Sequence, residues 1–323
     1  MIRFGTYVPQ GWNGELAPWR DNPAAQWRVV VDTARAAEEL GYDLLCTADH
    51  VVPAPVPTDA PVFECYTTLT ALAAVTTRIR LGQMTTCAAY RNPALLAKMT
   101  ANIDVISGGR LEWCIGAGWY ETEYRAYGYD FEPPADRIAR LAETVELVTA
   151  LWSEPTVTVN GRFVRADEAH CEPKPLQQPL PPVWIAGSGP RRTLPVVARL
   201  ADVSNFGGPP SEFAATVAEL GEHCEQVGRD LAEIEHSWAG SCLIRDDEAE
   251  VRALYEQGTV HGIHGLDYET WRTRYLVGTP DQVAAKVAGL VDAGASIFVP
   301  WFADLPDQTT MRIFADRIMG AFR

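Results

Sequence analysis

Two hydrophobic periods take turns along this chain. Short runs rich in apolar and β-branched residues recur at 2–8, 43–47, 79–86, 111–115, 183–186, 202–206, 234–244 and 296–302. Runs of that length and make-up read as buried strands. Between them lie stretches with apolar positions at helical spacing: 24–40 closed by Gly41, 66–75, 135–152, a run ending at Leu200, 211–227, a segment from Asp246, another from Thr279, and 308–322. The clearest helix follows Arg91-Asn92-Pro93. Asn92 suits the cap, Pro93 the first turn, Leu95, Leu96, Met99, Ile103 and Ile106 share a helical period, and Gly108-Gly109 ends it. Eight strands alternating with helices predict an α/β fold, a (β/α)8 TIM barrel forming a single domain over 1–323. Two stretches break the alternation. Residues 154–182 contain VTVNGRFV, read as a hairpin about Asn160-Gly161, and residues 259–277 read as irregular.

In such barrels ligands bind at the C-terminal ends of the strands. The second strand ends in Asp49-His50, and a histidine there suits proton transfer because its pKa lies near neutrality. Hydrogen bonding within its own loop is the plainer reading of the same residue. The fourth strand empties into Gly116-Ala117-Gly118-Trp119, small residues that let a flat ligand approach the backbone. The fifth ends in Gly187-Ser188-Gly189, with Arg191 and Arg192 just beyond. A glycine turn opening a helix can present amides to an anion, or can simply cap the helix. The long loop after the first strand carries Gln10, Trp12 and Trp19 and is a candidate lid or pocket wall. Trp12, Trp119, Phe206 and Trp301 together imply an apolar pocket for a planar substrate, although core packing is the better reading for at least two of the tryptophans.

A net charge of −15 argues against nucleic acid or an anionic membrane as partner. No apolar run reaches membrane-spanning length and no secretory leader is evident, so the expected location is the cytoplasm. The seven cysteines show no CxxC pair and read as small buried hydrophobes of a reducing compartment. His261-x-x-His264 lies among helix-breaking glycines without a supporting carboxylate pattern, so no metal is expected there.

Four segments carry a family resemblance: FGTYVPQGW, Asp49-His50, LGQMTTCAAYRNPALLAKMTANIDVISGGRLEWCIGAGWYETEYRAYG and PPVWIAGSGPRRTLPVVARLAD. Together they resemble the luciferase-like monooxygenase superfamily, and most of all its F420-dependent oxidoreductase branch. The resemblance implies coenzyme F420 at the barrel mouth, and a non-proline cis peptide near Met84-Thr85. It implies cofactor contacts from Asp49, Met84, Thr85, Thr86, Ala117, Gly118, Trp119, Gly187, Ser188, Gly189 and Arg191, with His50 and Asp49 catalytic. The reaction implied is hydride transfer between the reduced deazaflavin and a small organic molecule with a C=C, C=N or electron-poor aromatic carbon. The rival within the same superfamily is an FMNH2-dependent monooxygenase supplied by a separate reductase. Relatives are often homodimers. Trp119 departs from the branch's sugar-phosphate dehydrogenases, which carry an acidic residue there, and Ala54 stands where they place a tryptophan. Both departures argue against a sugar-phosphate substrate.

Overall fold

In the computed structural model, which describes residues 1–262 and 265–323, all eight expected strands form. They are β1 (Arg3–Tyr7), β2 (Leu44–Thr47), β3 (Arg80–Gln83), β5 (Leu111–Gly116), β8 (Val183–Ala186), β9 (Val203–Phe206), β10 (Glu235–Ile244) and β12 (Ile297–Phe302). Four short strands accompany them: β4 (Thr86–Cys87), β6 (Val157–Asn160), β7 (Arg165–Ala169) and β11 (Leu276–Gly278). The first five helices are α1 (Pro23–Glu39), α2 (Cys65–Val75), α3 (Pro93–Ser107), α4 (Glu121–Ala126) and α5 (Pro134–Ser153); of these α2, α3 and α5 pack on β2, β3 and β5.

The order β1-β2-β3-β5-β8-β9-β10-β12 is parallel throughout. The pairing of Arg3 with Ile297 closes it into a barrel. Side chains alternate with the period of two that a strand imposes. Tyr7, Leu44, Cys46, Met84, Cys114, Trp184, Val203, Ile297 and Val299 fill the lumen. Phe4, Leu45, Leu81, Trp113, Ile115, Ile185 and Phe298 face outward into the layer beneath the helices. At the N-terminal end, Arg3, Arg80 and the Trp184 indole all donate to buried Glu112, which plugs the barrel floor.

Helix α3 follows Asn92 as its local chemistry requires. The Asn92 side chain accepts from the amides of Ala94 and Leu95, and Gly108 ends the helix at φ 72°. The third strand is not continuous. It stops at Gln83, the Met84–Thr85 peptide is cis as the resemblance implies, and the chain resumes as β4, which still pairs with β5.

Two local expectations need correction. The hairpin pairs β6 with β7, but Asn160 faces Arg165 across a four-residue loop and not a two-residue turn. Glu143, on α5, decides this by accepting from the amides of Arg162, Phe163 and Val164. The stretch 259–277 is also not wholly irregular. Within it the segment Tyr268–Arg274 is helical, and β11 is added beside β10. Asp267 caps that helix. Buried Tyr268 and Trp271 anchor it in a cluster with Leu243 and Val277, contacts that periodicity over seven residues cannot reveal. His264 lies outside the described residues, so only the first member of the His261-x-x-His264 pair is placed. All seven cysteines are free and buried. No helix among the described residues is long and apolar enough to cross a membrane.

Candidate active site at the barrel mouth

The C-terminal ends of β1, β2, β3, β5 and β12 surround a cavity of about 260 Å³. Trp12, His50, Met84, Thr85, Thr86, Gly118, Trp119 and Trp301 all line it, as do Tyr7, Tyr90, Tyr120 and Glu123. Gln10 holds the first loop in place: its buried side-chain amide bonds both the N–H and the carbonyl of Ala48, at the end of β2. That loop lays Trp12 flat on His50, with ring centroids 5.4 Å apart and 20° between planes. Trp301 points inward with Ile297 and Val299 and meets Trp12 edge to face at 5.7 Å.

Asp49 and His50 point to different partners. Asp49 is buried and accepts two hydrogen bonds from Arg91, at 2.7 and 2.8 Å, and one from the Cys87 amide. It thereby joins the end of β2 to β4. Arg91 also reaches Glu64 and lies over the Tyr66 ring. Both oxygens of Asp49 are thus engaged within the protein, although the residue borders the cavity. His50 places Nδ1 3.0 Å from Glu123 Oε2. Glu123 sits on the short helix α4, five residues beyond Gly118, and is 1% exposed. It also accepts from Tyr90 and from the amides of Val51 and Val52. Burial pushes its carboxyl pKa up. The bond from His50 and its charge, with Val51 and Tyr90, outweigh this and hold the group below the usual range.

A second cavity of about 430 Å³ adjoins the first through Thr85, Gly116, Gly118 and Trp119. It runs outward past Ala117 to Arg137, Gly187 and Thr193. Gly118 is indispensable at the junction. It has φ +76°, and a Cβ there would lie 2.0 Å from the Tyr124 hydroxyl. Ser188, Gly189 and Arg191 are exposed just beyond Gly187. The helix they precede starts only at Thr193, and the Gly189 carbonyl accepts from the amides of Thr193 and Leu194. The capping reading of this glycine turn is therefore realised in part.

Phe206 stands apart from the other sequence-derived pocket residues. Strand parity turns it outward, where it packs on Phe213 at 4.6 Å in the layer beneath the helices. Sequence reasoning does not pick out Glu123, Tyr90, Arg91 or Arg137. Their signals are slight: an acidic residue in a short segment after a glycine turn, and three polar residues whose partners lie elsewhere in the chain.

A closed parallel barrel with a histidine, a buried carboxylate and an aromatic-walled cavity at the C-terminal mouth has the arrangement of a barrel enzyme. The model of the luciferase-like monooxygenase family matches residues 4–264, and the chain belongs to that family of enzymes. An F420-dependent glucose-6-phosphate dehydrogenase of Kineococcus radiotolerans is 30% identical over 291 residues, covering 82% of this chain and 84% of the relative. An FMNH2-dependent dimethylsulfone monooxygenase of Pseudomonas putida is 23% identical over 246 residues, covering 67% and 68%. Among solved structures, an F420-dependent secondary alcohol dehydrogenase in complex with an F420-acetone adduct superposes with a TM-score of 0.83 at 19% identity. The match covers 100% of this chain and 99% of that one, a likeness of fold.

Proposed function

We propose that this protein is an F420-dependent oxidoreductase acting on a small, uncharged, planar or apolar molecule. The observation that carries the reading is the pair of joined cavities. One is walled largely by aromatic side chains and bordered by His50; the other leads to Arg137 and the Gly187 turn. The first suits a tricyclic ring and the second its phosphate-bearing tail, with Arg137 supplying positive charge. Gly116 borders both cavities, and its missing side chain leaves room for a flat ring against the backbone. When bound, the reduced deazaflavin supplies a hydride. The chain's own residues do the rest. Met84, Thr85 and Gly118 would support the ring, Trp12 and Trp301 would exclude water and hold the acceptor beside it, and His50 would move the accompanying proton.

The substrate class follows from charge. No Lys or Arg lines the first cavity among the described residues, and its two carboxylates are consumed by Arg91 and by His50. A sugar phosphate, the class of substrate named for the Kineococcus relative, would find no lysine or arginine there among the described residues. An enone or electron-poor aromatic fits the aromatic walls.

The second reading, an FMNH2-dependent monooxygenase, is favoured by the Pseudomonas relative and by the same outer cavity, where Arg137 suits a phosphate equally well. Titrating purified apo-protein with F420 and with FMN decides between them. Micromolar F420 affinity with negligible FMN affinity is expected, and the reverse order eliminates the F420 reading.

A homodimer would be built on the helices α2 and α3. Helix α2 has no charged residue. The two charges of α3 are used internally, Lys98 on the Glu172 carbonyl and Asp104 in full burial, while Leu95 and Ile106 are exposed. On a chain of charge −15, this uncharged apolar face suits a second copy of itself. Light scattering tests it: the native protein should be a dimer and the Leu95→Asp/Ile106→Asp variant a monomer.

A further inference from the structure

We infer that Glu123 is a positioning residue that fixes His50 as its Nδ1–H tautomer, leaving Nε2 as the one ring nitrogen facing the reacting centre. The proton transfer it serves rests on the function proposed above, but the tautomer is a property of the chain itself.

Three donors and the imidazole of His50 converge on the Glu123 carboxylate. Oε1 accepts from the amides of Val51 at 2.6 Å and Val52 at 3.1 Å. Oε2 accepts from the Tyr90 hydroxyl at 2.8 Å and faces His50 Nδ1 at 3.0 Å. An ionised carboxylate can only accept, so the proton of a neutral imidazole in this contact resides on Nδ1. The lowered pKa of Glu123 agrees with ionisation. Nε2 has no hydrogen-bond partner among the described residues, and His50 borders the cavity. Trp12 stacked on one face and Tyr120 edge-on at 6.0 Å limit rotation of the ring. The consequence is chemical. The protonated ring gives its Nε2 proton to the acceptor as hydride arrives, and the Nε2 lone pair takes a proton back in the reverse step, so one nitrogen serves both directions of a redox reaction. Glu123 itself acts through His50.

Glu123→Gln separates this role from a merely structural one. The amide has one acceptor and one donor end. The Val51 and Val52 amides can only donate, so they take the carbonyl oxygen, and the NH2 group turns to His50 and Tyr90. The tyrosine hydroxyl can rotate to accept, and Nδ1 can accept only if the imidazole proton moves to Nε2. The variant thus keeps its shape and its partners while inverting the tautomer. The test is long-range 1H–15N correlation on 15N-histidine protein above about pH 8, where imidazole is neutral, with His50 assigned by the spectrum of His50→Gln. Native protein should show the Nδ1–H pattern and Glu123→Gln the Nε2–H pattern, with kcat lowered about 10²–10⁴-fold and KM nearly unchanged. A native spectrum showing Nε2–H, or no preferred tautomer, overturns the inference even if the variant does not fold. So does an inverted tautomer with kcat within about twofold of native. The spectrum reads the same whether F420 or FMN is the cofactor, so its failure is separable from failure of the proposed function.

Discussion

Trp12 covers His50 face to face, ring centroids 5.4 Å apart, bringing a residue from the loop after β1 onto one from the end of β2. The indole is buried, so Trp12→Ala loses packing as well as orientation. We expect a loss of about 3 kcal/mol in unfolding free energy. Freed rotation of the imidazole should lower kcat about tenfold to a hundredfold. Trp12→Phe should retain most of both. Denaturant unfolding and steady-state kinetics check the pair.

Gly118→Ala should damage stability and cofactor binding together. The added methyl group would sit 2.0 Å from the Tyr124 hydroxyl and 2.7 Å from Cys87 Sγ, on a backbone with φ +76°. Overpacking plus a left-handed non-glycine residue costs about 2–4 kcal/mol. Thermal unfolding should show a lower Tm, and titration a weaker cofactor complex.

Arg137→Met should discriminate between cofactor forms. The guanidinium borders the outer cavity, and the Gly118 carbonyl and the Phe131 ring orient it. Its loss should weaken FMN or F420 binding about tenfold. The phosphate-free forms, riboflavin or the deazaflavin without its tail, should change little. Equal losses for both forms would show that Arg137 does not meet the phosphate.

Lys286 ties down the end of the helix Tyr268–Arg274 by donating to the carbonyls of Arg272, Tyr275 and Val277. Burial pulls its pKa down to about 8, from 10.5. Between those values the unfolded chain binds more protons than the folded one, so this residue's contribution to stability rises with pH across about 8 to 10.5. The stability difference between native protein and Lys286→Met should move toward the native protein over that window. Denaturant unfolding at several pH values measures it.

The thiols should be silent until the protein unfolds. All seven are buried, and burial pushes Cys87, which borders the cavity, up to about 12. A colourimetric thiol reagent near pH 8 should detect almost none in native protein and seven after denaturation.

Much of the architecture was legible along the chain because barrel strands are buried on both faces and therefore appear as apolar runs. The Asn92-Pro93 start and Gly108 stop of α3 needed only local chemistry, a capping oxygen and a left-handed residue. His50, Met84, Gly118 and Trp119 could also be placed at the mouth from the order of strands and loops alone.

What the chain order could not supply was direction and partnership. Whether Phe206 faced the pocket or the helices depended on strand parity, and the alternation of Val203 with its neighbours turned it toward Phe213. Asp49 and His50 are adjacent in sequence, yet only the fold gives one to Arg91, 42 residues on, and the other to Glu123, 73 residues on. The loop after Asn160 took its form from Glu143 on another element. Apolar periodicity is a property of neighbours along the chain and so is written there. A buried polar contact joins distant residues and exists only once the barrel has closed.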